Sequence, residues 1–421
     1  MHNMVTMRPR QGSRAPHARQ SSVRAIVVFN AGSTSLKFGV YAADAGVSPE
    51  LLCAGRIDNM TADPHFVVKH ADGKPMESHA WGKHHAVDHK AALRFVLAWL
   101  KTNLTDIELV AAGHRVVLGG ERYGAPTLID GDVLDYLDSL AMMEPSHQPY
   151  DVGGARTFAE AYPDLPQVAC FDTSFHRTMP GVAQTYALPK EVRDSGVRHW
   201  GYHGISYDYI SHQLPKFAPA ARRVIVAHLG GGASMCALLD GRSVDTTMGF
   251  GTLSGLPMAT RSGDLPPDAL LYLLRSKQFD TTTLEKMLSE RAGLLGLSGI
   301  SGDMRVLQKS ADARALAALD YFTYAMMKYV GAYAAVLGGL DALVFTAGIG
   351  ENSVQVRAAL CARLGWLGVT LDENANAAGG PRISTVDSKV SVWVIPTNEE
   401  WMIAQHTLAL IQPERKAPCS Q

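Results

Sequence analysis

"AIVVFNAGSTSLKFGVY", residues 25–41, and "VIVAHLGGGASMCALLDG", residues 224–241, have one shape. Each is an apolar, β-branched run, a Gly/Ser turn and a second apolar run. That order predicts strand, tight turn, strand. Ile26 lines up with Ile225, Gly32 with Gly231 and Ser35 with Ser234. Two such segments, each opening one half of the chain, point to an internal duplication. A third stretch, "DALVFTAGIGENS" (341–353), predicts a buried strand, a Gly-rich turn and a helix capped by Asn352 or Ser353. Helical patterns lie between, at 89–101 and 312–339. The second carries Ala, Gly and Tyr on several faces, as a core or subunit-interface helix would. Strands alternating with helices place the chain in the α/β class. Prolines 163, 166, 180 and 189 mark the segment between the halves.

The chain has 421 residues, a length that suits two domains or one with a long insertion. It holds 39 basic and 40 acidic residues, so the balance asks for neither nucleic acid nor a membrane surface. No run of about 18 uncharged apolar residues occurs. The nearest candidate, 313–347, is broken by Asp320, Lys328 and Asp341. The five cysteines are odd in number and never spaced C-x-x-C, which excludes a disulfide framework or zinc ribbon and fits a reducing cytoplasm. Residues 1–24 hold five arginines and no acid; 1–23 are expected to be a disordered basic extension, with an organelle transit peptide as the alternative.

A strand that feeds a Gly/Ser turn exposes successive N–H groups, and such a nest holds phosphate oxygens. Three turns qualify: 30–35, 230–234 and 348–352. No Walker A motif is present, and no G-x-G-x-x-G opens a helix. A nucleotide would therefore bind in a cleft between halves. "HAWGKHHAVDH" (79–89) tempts a metal assignment, because His85 and His89 share the i, i+4 spacing of zinc ligands. Asp88 reads as a helix N-cap, however, which leaves His85 before the helix.

"FNAGSTSLKFGVY", "FDTSFH" (171–176), "YHGIS" (202–206), "ATRSGDLPPDA" (259–269), "SGDMR" (301–305), "FTAGIGENS" (345–353) and "IPTNEEWMIA" (395–404) together resemble the acetate kinases, over roughly residues 24–411. The resemblance implies two duplicated RNase H-like domains of the actin/hexokinase/Hsp70 type around a central cleft. One domain would be 24–172 plus 400–421, the other 173–399. It implies reversible phosphoryl transfer from ATP to acetate, giving acetyl phosphate and ADP, with Mg2+ (or Mn2+), in a homodimer. Asp172, His203 and Arg261 would be catalytic. Arg115, Val117, His147 and Tyr202 would bind the acyl substrate, and His176 is a weaker candidate for the same cleft. Lys37, His228, Leu229, Gly230, Gly231, Gly232, Asp303, Met304, Arg305, Gly348, Ile349, Gly350, Glu351 and Asn352 would hold the nucleotide, with Met304 against the adenine. Ser33 and Ser35 would steer phosphate. Asn30 and Glu399 would serve the metal, with Asp172 as a further carboxylate for the metal and its waters.

Arginine suits this chemistry because its planar fork grips a carboxylate or phosphoryl group by two hydrogen bonds. Gly263 and the following prolines would hold Arg261 at a bend that faces the cleft. The family pattern is broken at four places. Gly231 stands for the usual asparagine, Leu118 for histidine, Ser146 for leucine and Thr252 for proline. Thr252 is expected to free a backbone N–H and loosen the pocket wall. Tyr202 stands where phenylalanine is common, its hydroxyl adding bulk or a polar rim. Alternatives are a propionate or other short-chain fatty acid kinase, a sugar or glycerol kinase, and a nucleotide-gated binding module. The apolar Val117 beside Arg115 argues against a sugar.

Overall fold

A computed structural model describes residues 22–32, 34–44 and 48–412; the basic extension up to residue 21, Ser33, residues 45–47 and residues 413–421 lie outside the described residues. The extension as read from the sequence ran to residue 23, but Val23 already stands in a strand. Its N–H donates to Asp106 O at 3.0 Å.

The strands are β1 (Val23–Ala31), β2 (Leu36–Ala42), β3 (Glu50–Asp58), β4 (His65–His70), β5 (Pro75–Ala80), β6 (Ile107–Val116), β7 (Thr127–Leu128), β8 (Gln167–Phe171), β9 (Arg223–Leu229), β10 (Ala233–Leu239), β11 (Arg242–Thr246), β12 (Ala342–Thr346) and β13 (Ser391–Val394). They form two sheets, ordered β5-β4-β3-β2-β1-β6-β8-β7 and β11-β10-β9-β12-β13. Without β4, β5 and β7, the first sheet repeats the second, strand for strand. In each, three antiparallel strands are followed by two that run parallel to the first. The fold is thus α/β with two duplicated RNase H-like halves.

Register refines the repeat read from the sequence. Gly32 N–H donates to Ser35 O at 2.8 Å, and Gly230 N–H to Gly232 O at 2.9 Å. The second turn is one residue shorter. Gly32 therefore matches Gly230, not Gly231, and Ser35 matches Gly232, not Ser234.

Alternate residues of β1 serve two cores, as a strand buried on both faces requires. Ala25, Val27 and Phe29 pack with Leu93, Val96 and Phe158 from the helices His89–Asn103 and Gln148–Ala161. Ile26 and Val28 pack with Met402, Ile403 and Leu408 of the helix Glu399–Ile411. That last helix thereby returns the chain to the first sheet and sets Glu399 at the end of β1. The helix Ala313–Leu337 is capped by Asp312 and packs on β9 and β10 with Phe322, Met326 and Val330 buried, while Leu316, Tyr321 and Tyr324 stay exposed. Asp88 caps the helix His89–Asn103 through Ala91 N–H at 2.7 Å, so His85 precedes it. No group of three metal-binding side chains occurs among the described residues. No described helix is long and apolar enough to cross a membrane.

Candidate active site

The carboxyl ends of the parallel strands gather the charged residues, as expected for ligand sites in open α/β sheets. On the first sheet, Arg115 near the end of β6 faces Asp172, the residue after β8. Its Nη2 donates to Asp172 Oδ2 at 2.6 Å and its Nε to the same oxygen at 3.2 Å. Nη1 donates to Asn30 Oδ1 at 3.4 Å and to Ala31 O at 3.3 Å. Asn30 Nδ2 in turn donates to Glu399 Oε2 at 2.9 Å and Glu400 Oε1 at 3.0 Å. Asn398 caps that helix, so its first turn adds a dipole that favours these acids.

Electrostatics divide the two buried carboxylates. Burial alone would raise Glu399, but the charge of Arg115, then His228 and Lys37, and the Asn30 hydrogen bond bring its pKa below the ordinary value. Burial pushes Asp172 above its ordinary value against the pull of Arg115, and Glu399 adds to the rise. Arg115 is buried too, yet Asp172 and Glu399 more than offset that cost and hold it charged.

The second half supplies Arg261, His203 and the turn 230–232. His203 precedes the helix Gly204–Phe217 in a left-handed conformation, φ 59°, a strained choice for a non-glycine residue. Its Nδ1 meets Ser234 Oγ at 2.8 Å, and its ring stacks on His228 at 4.1 Å. Burial, then the neighbouring His228 and the two arginines, drive its pKa well below the usual histidine range, so the ring is neutral. A Cβ on Gly232 would lie 3.3 Å from His203 Nε2 and 3.9 Å from Arg261 Nη1. A side chain there would press on His203 Nε2, so glycine suits this close approach. Arg261 Nη1 donates to Thr252 O at 3.1 Å. Among the described residues it has no carboxylate within salt-bridge distance. Gly263, at φ 70°, makes the bend behind it; a Cβ there would sit 2.6 Å from Gly255 O.

The other expected contacts divide. His228 Nδ1 meets Ser206 Oγ at 2.8 Å, Ser206 meets Thr397 Oγ1 at 2.8 Å, and Thr397 N–H donates to Glu351 Oε1 at 3.1 Å. That chain ties β9 to the turn Gly348–Asn352, which forms the short helix Ala347–Asn352. Ser353, not Asn352, caps the next helix. Leu229 is fully buried. Asp303 caps the helix Met304–Gln308 and pairs with the exposed Arg305 at 2.6 Å, while Met304 is buried in the core. Lys37 is half exposed, 4.0 Å from Glu400. Val117 and Tyr202 are buried.

Several expectations change. The Tyr202 hydroxyl donates to Phe250 O at 2.7 Å and forms no rim. His176 spends Nδ1 on Ser243 and Nε2 on Tyr202 O, as a satisfied core histidine. The N–H of Thr252 is not free: it donates to Glu144 Oε2 at 3.0 Å, and the Thr252 hydroxyl donates to Glu144 Oε1 at 3.2 Å. Glu144, missed in the sequence, stands between Met143 and Pro145 with no periodic signal to mark it. Arg357 was missed as well. It is buried, donates to Gly350 O and Glu351 O at 3.0 and 2.8 Å, and so fixes the turn Gly348–Asn352. A cavity of about 880 Å3 opens beside Arg261 and is walled by Glu144, Ser146, His147, Phe250 and Thr252.

Two duplicated halves closing on paired arginines, a neutral histidine and carboxylates are the arrangement of an actin/hexokinase-type phosphotransferase. The family model described as the acetokinase family matches residues 25–405. The acetate kinase of Rhodopseudomonas palustris (strain ATCC BAA-98 / CGA009) is 45% identical over 391 residues, 91% of this chain and 98% of that one. The acetate kinase of Nitrobacter hamburgensis is 47% identical over 388 residues, 92% and 96% of the two chains. Among solved structures, a propionate kinase from Francisella tularensis superposes with a TM-score of 0.84 at 36% identity, covering 92% of this chain and all of that one. The acetate kinase of Porphyromonas gingivalis gives 0.80 at 32% identity with the same coverage. The chain belongs to the acetokinase family.

Proposed function

We propose that this protein is an acetate kinase: it transfers the terminal phosphoryl group of ATP reversibly to acetate, giving acetyl phosphate and ADP. The observation that carries this reading is the convergence of Arg261, which has no ion pair among the described residues, the neutral His203 and Gly232 opposite the Arg115–Asp172 pair. Acetate, with a reference pKa near that of Glu at about 4.3, is already ionised at neutral pH and needs no general base. The obstacle is repulsion between an anion and a polyanion, and catalysis is positioning plus charge stabilisation. Arg115, oriented by Asp172, holds the acetate carboxylate. Arg261 takes the charge that develops on the transferring phosphoryl group, and His203 donates through Nε2. The turn amides of Gly231 and Gly232 and those at 348–352 cradle the nucleotide phosphates.

Magnesium binds in kinases through one or two carboxylates, phosphate oxygens and water. The donor set here fits that mode. Glu399 is the ionised carboxylate, and Asp172 gives Arg115 only Oδ2. Asn30 suits the role of holding Glu399 better than that of a metal ligand, because its Oδ1 faces Arg115. The metal, when bound, neutralises phosphate charge. The lobes are taken as 24–172 plus 400–421 and 173–399, the protein as a cytoplasmic homodimer. A propionate kinase is the second reading, favoured by the volume of the cavity and the likeness to the Francisella structure. ADP release that requires acetate and Mg2+ supports the first reading. Release that requires glycerol or a sugar, and ignores acetate, refutes it.

A further inference from the structure

One part of the wall of the cavity beside Arg261 is polar: Glu144, Ser146, His147 and Thr252 stand together there, while Phe250, Leu253 and Leu265 line it elsewhere. Glu144 is 4% exposed, yet its carboxylate is almost fully engaged. Oε1 accepts from Ser146 Oγ at 2.5 Å, from Thr252 Oγ1 at 3.2 Å and from His147 Nδ1 at 3.2 Å; Oε2 accepts from Thr252 N–H at 3.0 Å. These contacts decide the protonation of His147. Ser146 has one hydroxyl hydrogen, and it goes to Glu144. The 2.7 Å contact between Ser146 Oγ and His147 Nδ1 must then be donated by the ring. Nδ1 therefore carries the hydrogen, shared between Ser146 and Glu144. In a neutral ring Nε2 is left as a lone pair. No described residue hydrogen-bonds that atom, and His147 lines the cavity.

Burial lowers the His147 pKa, against the opposing pull of Glu144, and Arg261 lowers it further, which keeps the ring neutral. A lone pair facing the cavity repels an acetate carboxylate and has nothing to gain from a methyl. It is matched by a hydroxyl. An ammonium group would meet Arg261 and Arg115.

We propose, on the reading that this site phosphorylates a short carboxylate, that the acceptor it fits best bears a hydroxyl beside the carboxylate, a 2-hydroxy acid of the size of glycolate or lactate, with His147 Nε2 accepting the hydrogen bond that this hydroxyl donates. Glycolate and propionate differ by one hydroxyl against one methyl, so their comparison isolates this hydrogen bond. A net hydrogen bond is worth about 0.5–1.5 kcal/mol. The full chain is assayed for ADP release with ATP, Mg2+ and acetate, propionate, glycolate, lactate or glycine in turn. The expected kcat/KM for glycolate is up to about tenfold above that for propionate, with glycine poor. In Glu144→Gln the amide donates to His147 Nδ1 and moves the ring hydrogen to Nε2, so the glycolate-to-propionate ratio falls toward one. Turnover of acetate with propionate equal to or better than glycolate overturns this inference and leaves the acetate kinase reading standing. Turnover of none of the acids overturns both. An unchanged ratio in Glu144→Gln overturns the tautomer argument, and if that variant does not fold, the wild-type ratio alone decides.

Discussion

Replacing Arg115 and Arg261 by methionine should have like effects on turnover and unlike effects on stability. Each side chain is assigned a charge that develops or is held in the transition state, and loss of one such contact costs about 10²–10³ in kcat. Their surroundings differ. Asp172 is 1% exposed and receives two bonds from Arg115. Removing Arg115 leaves a buried carboxylate without its cation, a change that costs about 3–5 kcal/mol. For lobes of this size each kcal/mol moves Tm by about 2–4 °C, so Arg115→Met should melt about 10 °C lower. Arg261 makes one hydrogen bond to a backbone oxygen and no ion pair among the described residues. Its loss should cost about 1 kcal/mol and at most about 4 °C. Calorimetry and steady-state kinetics on both variants test this. The double variant Arg115→Met, Asp172→Leu should regain most of the lost Tm, because an apolar pair replaces the ion pair, while staying inactive. Equal melting of the two single variants, or near-normal turnover in Arg261→Met, would refute the reasoning.

Gly232→Ala should lower kcat at least tenfold with little change in Tm, since its Cβ crowds His203 Nε2, whereas Gly231→Ala meets open space and should be near normal; equal kinetics for the two would contradict the placement of the turn. Gly231→Asn should lower the KM for ATP and sharpen the preference for ATP over GTP, by the 0.5–1.5 kcal/mol of one hydrogen bond; kinetics with both nucleotides decide. Glu399→Gln should raise the Mg2+ concentration needed for half-maximal rate more than it raises the KM for acetate, and an unmoved Mg2+ titration would count against its metal role. Burial pushes Asp151 up to about 8, and its Oδ1 has no partner among the described residues. A carboxyl raised in the folded state stabilises fully below its unfolded pKa of about 3.9 and loses that contribution as pH rises toward about 8. The Tm of the wild type relative to Asp151→Asn should therefore fall from pH 4 to pH 8, and parallel curves would exclude this group.

Much of the fold was legible because duplication repeats a local pattern. The two hairpins, the strand at 342–346 and the caps Asp88 and Ser353 are set by residues within a few positions of one another. The register of the second hairpin was not, since a turn shortened by one residue changes pairing without changing composition. β5 was also silent: none of its residues is buried, so no apolar alternation marks it. In the candidate site, Arg115, Asp172, His203, Arg261 and Glu399 were legible as candidates through motifs, and the structure gathers them at the carboxyl ends of the strands and the facing turn. Glu144 was not, because its partner Thr252 is distant in sequence and a single acid between Met143 and Pro145 looks like a surface residue. The Tyr202 hydroxyl and the His176 ring were not legible for the same reason: Phe250 O, Ser243 Oγ and Tyr202 O, which satisfy them, belong to other segments.

The most direct test follows the phosphorus itself. The full chain is incubated with ATP, Mg2+ and acetate, and the products are read by 31P NMR. The account predicts an acyl phosphate resonance growing with ADP, reversal on addition of acetyl phosphate and ADP, and loss of both in Arg261→Met. ADP accompanied only by inorganic phosphate, or no dependence on a carboxylic acid, would contradict it.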